Sequence, residues 1–241
     1  MRRIGCAQFL PLMFLLISAI TCGPARAAEF VVVEARGIPL HAGQSIDDQQ
    51  PLVLTEGQRV TLVSPDGDTL KLKGPFNGKP GANAGAAGSG NVTEALTALL
   101  VQKQTRDSDV GVVRAGEAPP KLPEPWLVDV SRAGTNCYCE GGEVVFWRPD
   151  SAEAAEFTIR PLDHRWSLSR NWAAGSDRLK APPDLRISGR VTYLADLGGK
   201  RAAVTLIPIP ATARTDAMRA AWMLGKGCLA QATALMEGIR K

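Results

Sequence analysis

The sequence predicts a mainly β protein with a few helices. Runs of β-branched or alternating apolar residues recur along the chain, each bounded by Gly, Asp or Pro. The pair Gly198-Gly199 separates two such runs, a hairpin signal. Apolar residues at helical spacing follow Asn91 and again follow Thr215. These features divide the chain into a leader (1–27), a small β module (28–76), a helical and Pro-rich bridge (77–125) and a second, sandwich-like β unit with a C-terminal helix (126–241).

The leader is a targeting segment. It starts with Arg2 and Arg3, continues through an apolar run over 9–20, and ends on Ala25, Arg26 and Ala27, with cleavage expected before Ala28. The apolar run is short for a membrane span. The expected destination is the periplasm, with no stable membrane insertion once the leader is cut. A lipoprotein anchored at Cys22 is the lesser reading, because Ala19, Ile20 and Thr21 lack the usual leucine and the small residue before the cysteine. The whole chain has 28 Lys+Arg against 24 Asp+Glu, and Arg2, Arg3 and Arg26 leave with the leader. The remainder is almost neutral, which gives no basis for nucleic-acid binding or a polybasic membrane dock.

In the module, Phe30, Val31, Val32 and Val33 form an unbroken β-branched run. Leu52, Val53 and Leu54 follow, then Gly57, then Val60, Thr61, Leu62 and Val63. A turn at Pro65, Asp66, Gly67 and Asp68 leads into the clean alternation Thr69, Leu70, Lys71, Leu72, Lys73. Short strands with turns this close together predict a small barrel or sandwich. Gly37, Leu40, Gly43, Ile46, Leu52, Leu54, Gly57, Val60, Leu62, Gly67, Leu70 and Leu72, closing on Gly74-Pro75, resemble the glycine-punctuated rhythm of FecR-like periplasmic modules. The chain as a whole also resembles exported proteins of Gram-negative bacteria that carry a later cysteine, a Trp-Arg-Pro and a Gly-Cys near the C-terminus. FecR proteins relay a signal from a cytoplasmic end, which is not evident here. The resemblance therefore implies only a periplasmic β module that contacts another envelope protein.

The stretch 77–90 is Gly/Ala-rich and is expected to be a linker. Asn91 and Glu94 suit a helix start. Leu96, Leu99 and Leu100 give that helix an apolar stripe, and the polar run 102–109 is expected to end it. Pro119, Pro120, Pro123 and Pro125 preclude helix and predict an extended connector.

The second unit begins at Trp126, Leu127, Val128. Strands are expected at the cysteine stretch 135–139, at 144–147, at 157–159, at 166–168, and at 187–194 paired with 202–207, with mainly antiparallel pairing. Thr215 suits a helix N-cap and Asp216 the positive end of the dipole. Gly225 and Gly227 should break or kink the helix. Leu229, Ala232, Leu235, Met236 and Ile239 then share one face, expected to pack on the second β unit.

Outside the leader the cysteines are Cys137, Cys139 and Cys228. In an oxidising compartment a staple from Cys139 to Cys228, with Cys137 as the alternative partner, would close a loop of about 90 residues. One thiol is left over. The alternative is a Cys-x-Cys redox pair with Cys228 as the resolving thiol, although no cation beyond Arg132 adjoins it in sequence. A zinc site from Cys137, Cys139 and His164 is disfavoured by the count of histidines, since His41 is the other one and reads as a surface residue. No metal and no cofactor are expected. Serine-hydrolase, HExxH, Walker and dinucleotide motifs are missing from the sequence. Trp126, Trp147 and Trp222 are expected in the core, while Trp166, Arg170 and Trp172 are the candidate binding face. The expected function is non-catalytic binding or envelope assembly with another envelope protein as partner.

Overall fold

The computed structural model describes residues 29–83, 91–110, 121–163, 165–182, 185, 187 and 189–239. The leader, the heart of the Gly/Ala-rich stretch, Pro119, Pro120 and His164 lie outside the described residues. The protein is mainly β with three helices among the described residues.

The first unit contains β1 (Glu29–Arg36), β2 (Ser45–Asp47), β3 (Leu52–Leu54), β4 (Arg59–Val63), β5 (Thr69–Lys73) and β6 (Phe76–Gly78). Four of them form an antiparallel sheet in the order β2-β1-β4-β5, and β3 pairs with β6 beside it. The unbroken valine run has a physical meaning: β1 is buried on both faces. Phe30 and Val32 point into the module's own core with Ile46, Leu54, Leu62 and Leu72. Val31 and Val33 point the other way, onto the helices. A strand covered on both sides needs no alternation. The expected linker begins later than its composition predicts, because Asn77 and Gly78 still pair with β3 and a 3-10 turn follows at Gly81–Asn83.

Helix α1 (Val92–Val110) starts at Asn91, whose side-chain oxygen accepts the N–H of Thr93 at 3.0 Å. Leu96 and Leu99 are buried. The helix does not end near Gln102. Val101, Gln102, Gln104 and Thr105 are exposed on it, so the polar run marks a solvated stretch of helix rather than a stop.

The second unit contains β7 (Leu127–Asp129), β8 (Gly134–Cys139), β9 (Val145–Trp147), β10 (Ala155–Pro161), β11 (Leu168–Trp172), β12 (Arg178–Lys180), β13 (Val191–Leu197) and β14 (Lys200–Ile209). Its sheets run β11-β10-β13-β14-β8 and β12-β9-β7. Phe146, Phe157, Ile159, Trp172, Tyr193, Val204 and Leu206 fill the space between them. The hairpin at Gly198-Gly199 forms as expected, between β13 and β14. Two pairings depart from the antiparallel expectation, since β8 lies parallel to β14 and β7 parallel to β9. Parallel neighbours need long crossover connections, and local hairpin signals cannot reveal them. The strand expected at 166–168 forms two residues later, which places Trp166 just ahead of β11.

Helix α2 (Asp216–Lys226) is capped by Thr215, whose hydroxyl accepts the N–H of Met218. It ends at Gly227, which is left-handed, with the N–H of Cys228 bonded to the carbonyl of Met223 at 2.9 Å. Helix α3 (Leu229–Ile239) follows at once. Gly227 therefore breaks the run as expected, but Gly225 does not: it lies inside α2. A Cβ there would stand 2.3 Å from the Cα of Gly43, on the loop between β1 and β2. Gly43 itself has φ +80°. Two glycines thus let a helix of the C-terminal region and a loop of the first unit touch backbone to backbone.

That contact belongs to a wider arrangement. Val31, Val33 and Val63 of the first sheet, Leu96 and Leu99 of α1, and Ile207 and Ile209 of β14 all meet Met218, Ala221 and Leu224 of α2 in one core. The sequence places the C-terminal helix on the second unit alone; in the structure the helical layer is shared by both units. The first sheet exposes a second apolar face that its own small core cannot cover, and the helices bury it.

Candidate functional site

Residue Cys137 sits in the middle of β8 and is wholly buried. Its sulfur is bonded to that of Cys228, with Cα atoms 5.8 Å apart and a sequence separation of 91. Cys139 is free and exposed. This corrects the expected pairing of Cys139 with Cys228 in favour of its alternative. Alternation puts Cys137 and Cys139 on one side of a strand, but Cys139 is the last residue of β8, where the chain turns and Gly142 N–H bonds its carbonyl at 2.9 Å. Cys137 lies under the start of α3 and Cys139 lies past it.

Gln231 completes this joint, and the sequence reading missed it. It is 1% exposed, three residues after Cys228. Its side-chain oxygen accepts the N–H of Cys137. Its amide donates to the carbonyls of Cys137 at 2.8 Å and Leu127 at 3.2 Å. One side chain thus satisfies backbone groups of both β7 and β8 and closes the outer edge of the five-stranded sheet. The available signal was position: i and i+3 share a helix face, so a polar residue three after a buried cysteine is itself buried.

The tryptophans divide differently from expectation. Trp147 is in the core as expected. Trp126 is 38% exposed, with the guanidinium of Arg219 over its ring at 5.8 Å. Trp222 is partly buried against the shared core. Trp172 is not on a binding face: it is 1% exposed, edge-on to Phe157 at 5.5 Å. Burial along β11 does not alternate: Leu168 and Trp172 turn inward, while Arg170, in the same phase, is exposed with Ser169 and Asn171. Trp166 is partly buried against Tyr193, with ring centroids 5.9 Å apart. Of the three expected residues Arg170 alone is exposed.

Trp172 holds a residue that was not singled out as a site. Arg148 is 3% exposed and lies over the Trp172 ring at 5.0 Å. Its Nε donates to the carbonyl of Ser176 at 3.1 Å and its Nη2 to that of Ala173 at 2.8 Å. These contacts fasten the β11–β12 connection to β9.

Burial holds the Tyr138 hydroxyl above its ordinary pKa, and the nearby Glu140 carboxylate adds to the shift. The hydroxyl donates to the carbonyl of Gly189 at 3.2 Å. Tyr193 is raised by burial and then by Tyr138. The disulfide consumes Cys137, and His164 lies outside the described residues, so the weighed zinc set is broken at one ligand. Among the described residues no group of three or more His, Cys, Asp or Glu could hold a metal ion. No helix among them is long and apolar enough to cross a membrane. Comparison with known protein families, curated proteins and solved structures finds no match to this chain.

Proposed function

We propose that the protein is an exported, periplasmic, non-catalytic binding protein that acts through protein–protein contacts. Its FecR-like first unit would serve envelope assembly or regulation. The observation that carries this reading is the exposed edge of β11, where Ser169, Arg170 and Asn171 face solvent. An edge strand offers backbone donors and acceptors that an incoming strand can pair. Other edges of the second unit are guarded. Gln231 covers β8. On β12, Arg178 pairs with Glu124 at 2.9 Å and Lys180 with Glu143 at 2.9 Å. On β11, Arg170 reaches, among the described residues, only the carbonyl of its own neighbour Ser169, at 3.0 Å. A partner strand can replace that contact and take Arg170 as an anchor.

The thiol-redox alternative fares worse on access. Attack on a disulfide needs an exposed sulfur, and both Cys137 and Cys228 are fully buried. Photo-crosslinking from position 171 in the periplasm tests the binding reading. A discrete partner adduct is expected at 171, absent from the same probe at Lys180 on the guarded β12 and lost in Arg170→Glu. Indistinguishable patterns from 171 and 180 would sink it.

A further inference from the structure

We propose that the cavity beside Arg148 binds a small zwitterion of dipeptide size, with its carboxylate on Arg148 and its ammonium group on the acidic rim. The cavity has a volume of about 510 Å³ and is lined by Ser131, Arg148, Asp150, Glu153, Glu156 and Lys200 among others. That volume falls in the range of small-molecule clefts.

Arg148 is the group that calls for a ligand. Arginine is almost never this buried without a countercharge. Its recorded partners are two backbone carbonyls and an indole face. Among the described residues no carboxylate lies within ion-pair distance of it. A guanidinium has five N–H donors, and those two bonds use two of them. The Trp172 ring beneath it carries a buried N–H that also has no partner among the described residues. With Nε and Nη2 taken by the two carbonyls, a carboxylate would be held at the Nη1 edge of a pre-positioned, planar guanidinium, a geometry lysine cannot match.

The rim decides the rest of the ligand. Lys200 adds a second positive charge, while Asp150, Glu153 and Glu156 are exposed and negative. A simple anion meets three carboxylates. A simple cation leaves Arg148 without a countercharge. A ligand carrying both signs a few bonds apart satisfies both sets. The cavity adjoins β11 through Ala155 and Glu156, which pair with Trp172 and Asn171, but the ligand contacts are Arg148 and the rim charges rather than the strand edge, so neither reading depends on the other.

The test is a titration of alanyl-alanine into isotope-labelled protein, followed by backbone amide NMR shifts. The N-acetylated and C-amidated forms run alongside it. The free dipeptide is expected to give saturable shifts at residues 148–156 and 197–200. Each blocked form is expected to bind at least tenfold more weakly. Arg148→Lys is expected to abolish binding, but it also loosens the Ala173 and Ser176 contacts. Glu153→Gln and Lys200→Gln, both at exposed positions, are the second variants, each expected to weaken binding several-fold with unchanged spectra elsewhere. Equal affinity for the three peptides, shifts confined to other regions, or no saturable response to the free dipeptide would each overturn the proposal.

Discussion

Replacing Gln231 with leucine keeps the volume of a buried side chain and removes its polar atoms. The structure supplies the magnitude. Three backbone groups lose their partners: the N–H of Cys137 and the carbonyls of Cys137 and Leu127. An orphaned buried group costs about 1–3 kcal/mol. The leucine fills the space that water would need, and the strands relax in part, so the expected loss is about 3–6 kcal/mol. Against a total stability of about 5–15 kcal/mol this is a large fraction. Gln231→Glu should be no milder, because it keeps one acceptor, loses both donated bonds and buries a charge. Urea unfolding reads the effect. With a slope near 2 kcal/mol/M, the midpoint falls by about 1.5–3 M while the slope is unchanged. Hydrogen exchange at the Cys137 amide should accelerate in parallel. A midpoint within about 0.5 M of wild type would refute the role assigned to this side chain.

Three further outcomes are expected. Gly225→Ala should gain up to about 1 kcal/mol of helix propensity, yet lose about 2–4 kcal/mol net in a melt, because the new methyl meets the Gly43 backbone; a stabilised variant would contradict the backbone contact. The double variant Cys137→Ala, Cys228→Ala opens a closure of 91 residues and should cost about 4.6 kcal/mol on the chain-entropy account, read as a lower urea midpoint. The chain has two tyrosines, Tyr138 and Tyr193, so tyrosinate absorbance reports only these. Both are held above the ordinary value, so their folded midpoints should exceed about 10 and return there in denaturant. The associated stability is intact below the unfolded pKa and is lost as pH rises through the folded values; an ordinary midpoint in the folded protein would contradict their burial.

Local patterns carried most of the fold class. The valine run of β1 and the alternation of β5 are visible as local patterns, and the hairpin at Gly198-Gly199 and the caps at Asn91 and Thr215 rest on contacts within a few residues. What the sequence hid depends on contacts between distant segments. The parallel pairing of β8 with β14 brings together residues far apart in the chain, with no turn to announce it. Gly225 reads as a breaker until its neighbour Gly43 is known. The tryptophans share one chemistry, and neither residue type nor strand phase reveals that Trp172 is inside and the ion-stacked Trp126 outside, since the exposed Arg170 has the phase of Trp172 and Trp126 precedes β7. Cys137 and Cys139 have the same phase, and the end of β8 distinguishes them. Arg148 and Gln231 are polar residues whose burial follows from the backbone groups awaiting them, which no single-sequence pattern displays.

The central claim is that the C-terminal helices are fastened to β8 at Cys137, and a disulfide map of the oxidised protein tests it most directly. Native alkylation without reductant, followed by non-reducing peptide mass spectrometry, should find Cys139 fully labelled and a single Cys137–Cys228 cross-linked peptide. A Cys139–Cys228 or Cys137–Cys139 peptide, or an unlabelled Cys139 in the folded protein, would contradict the account.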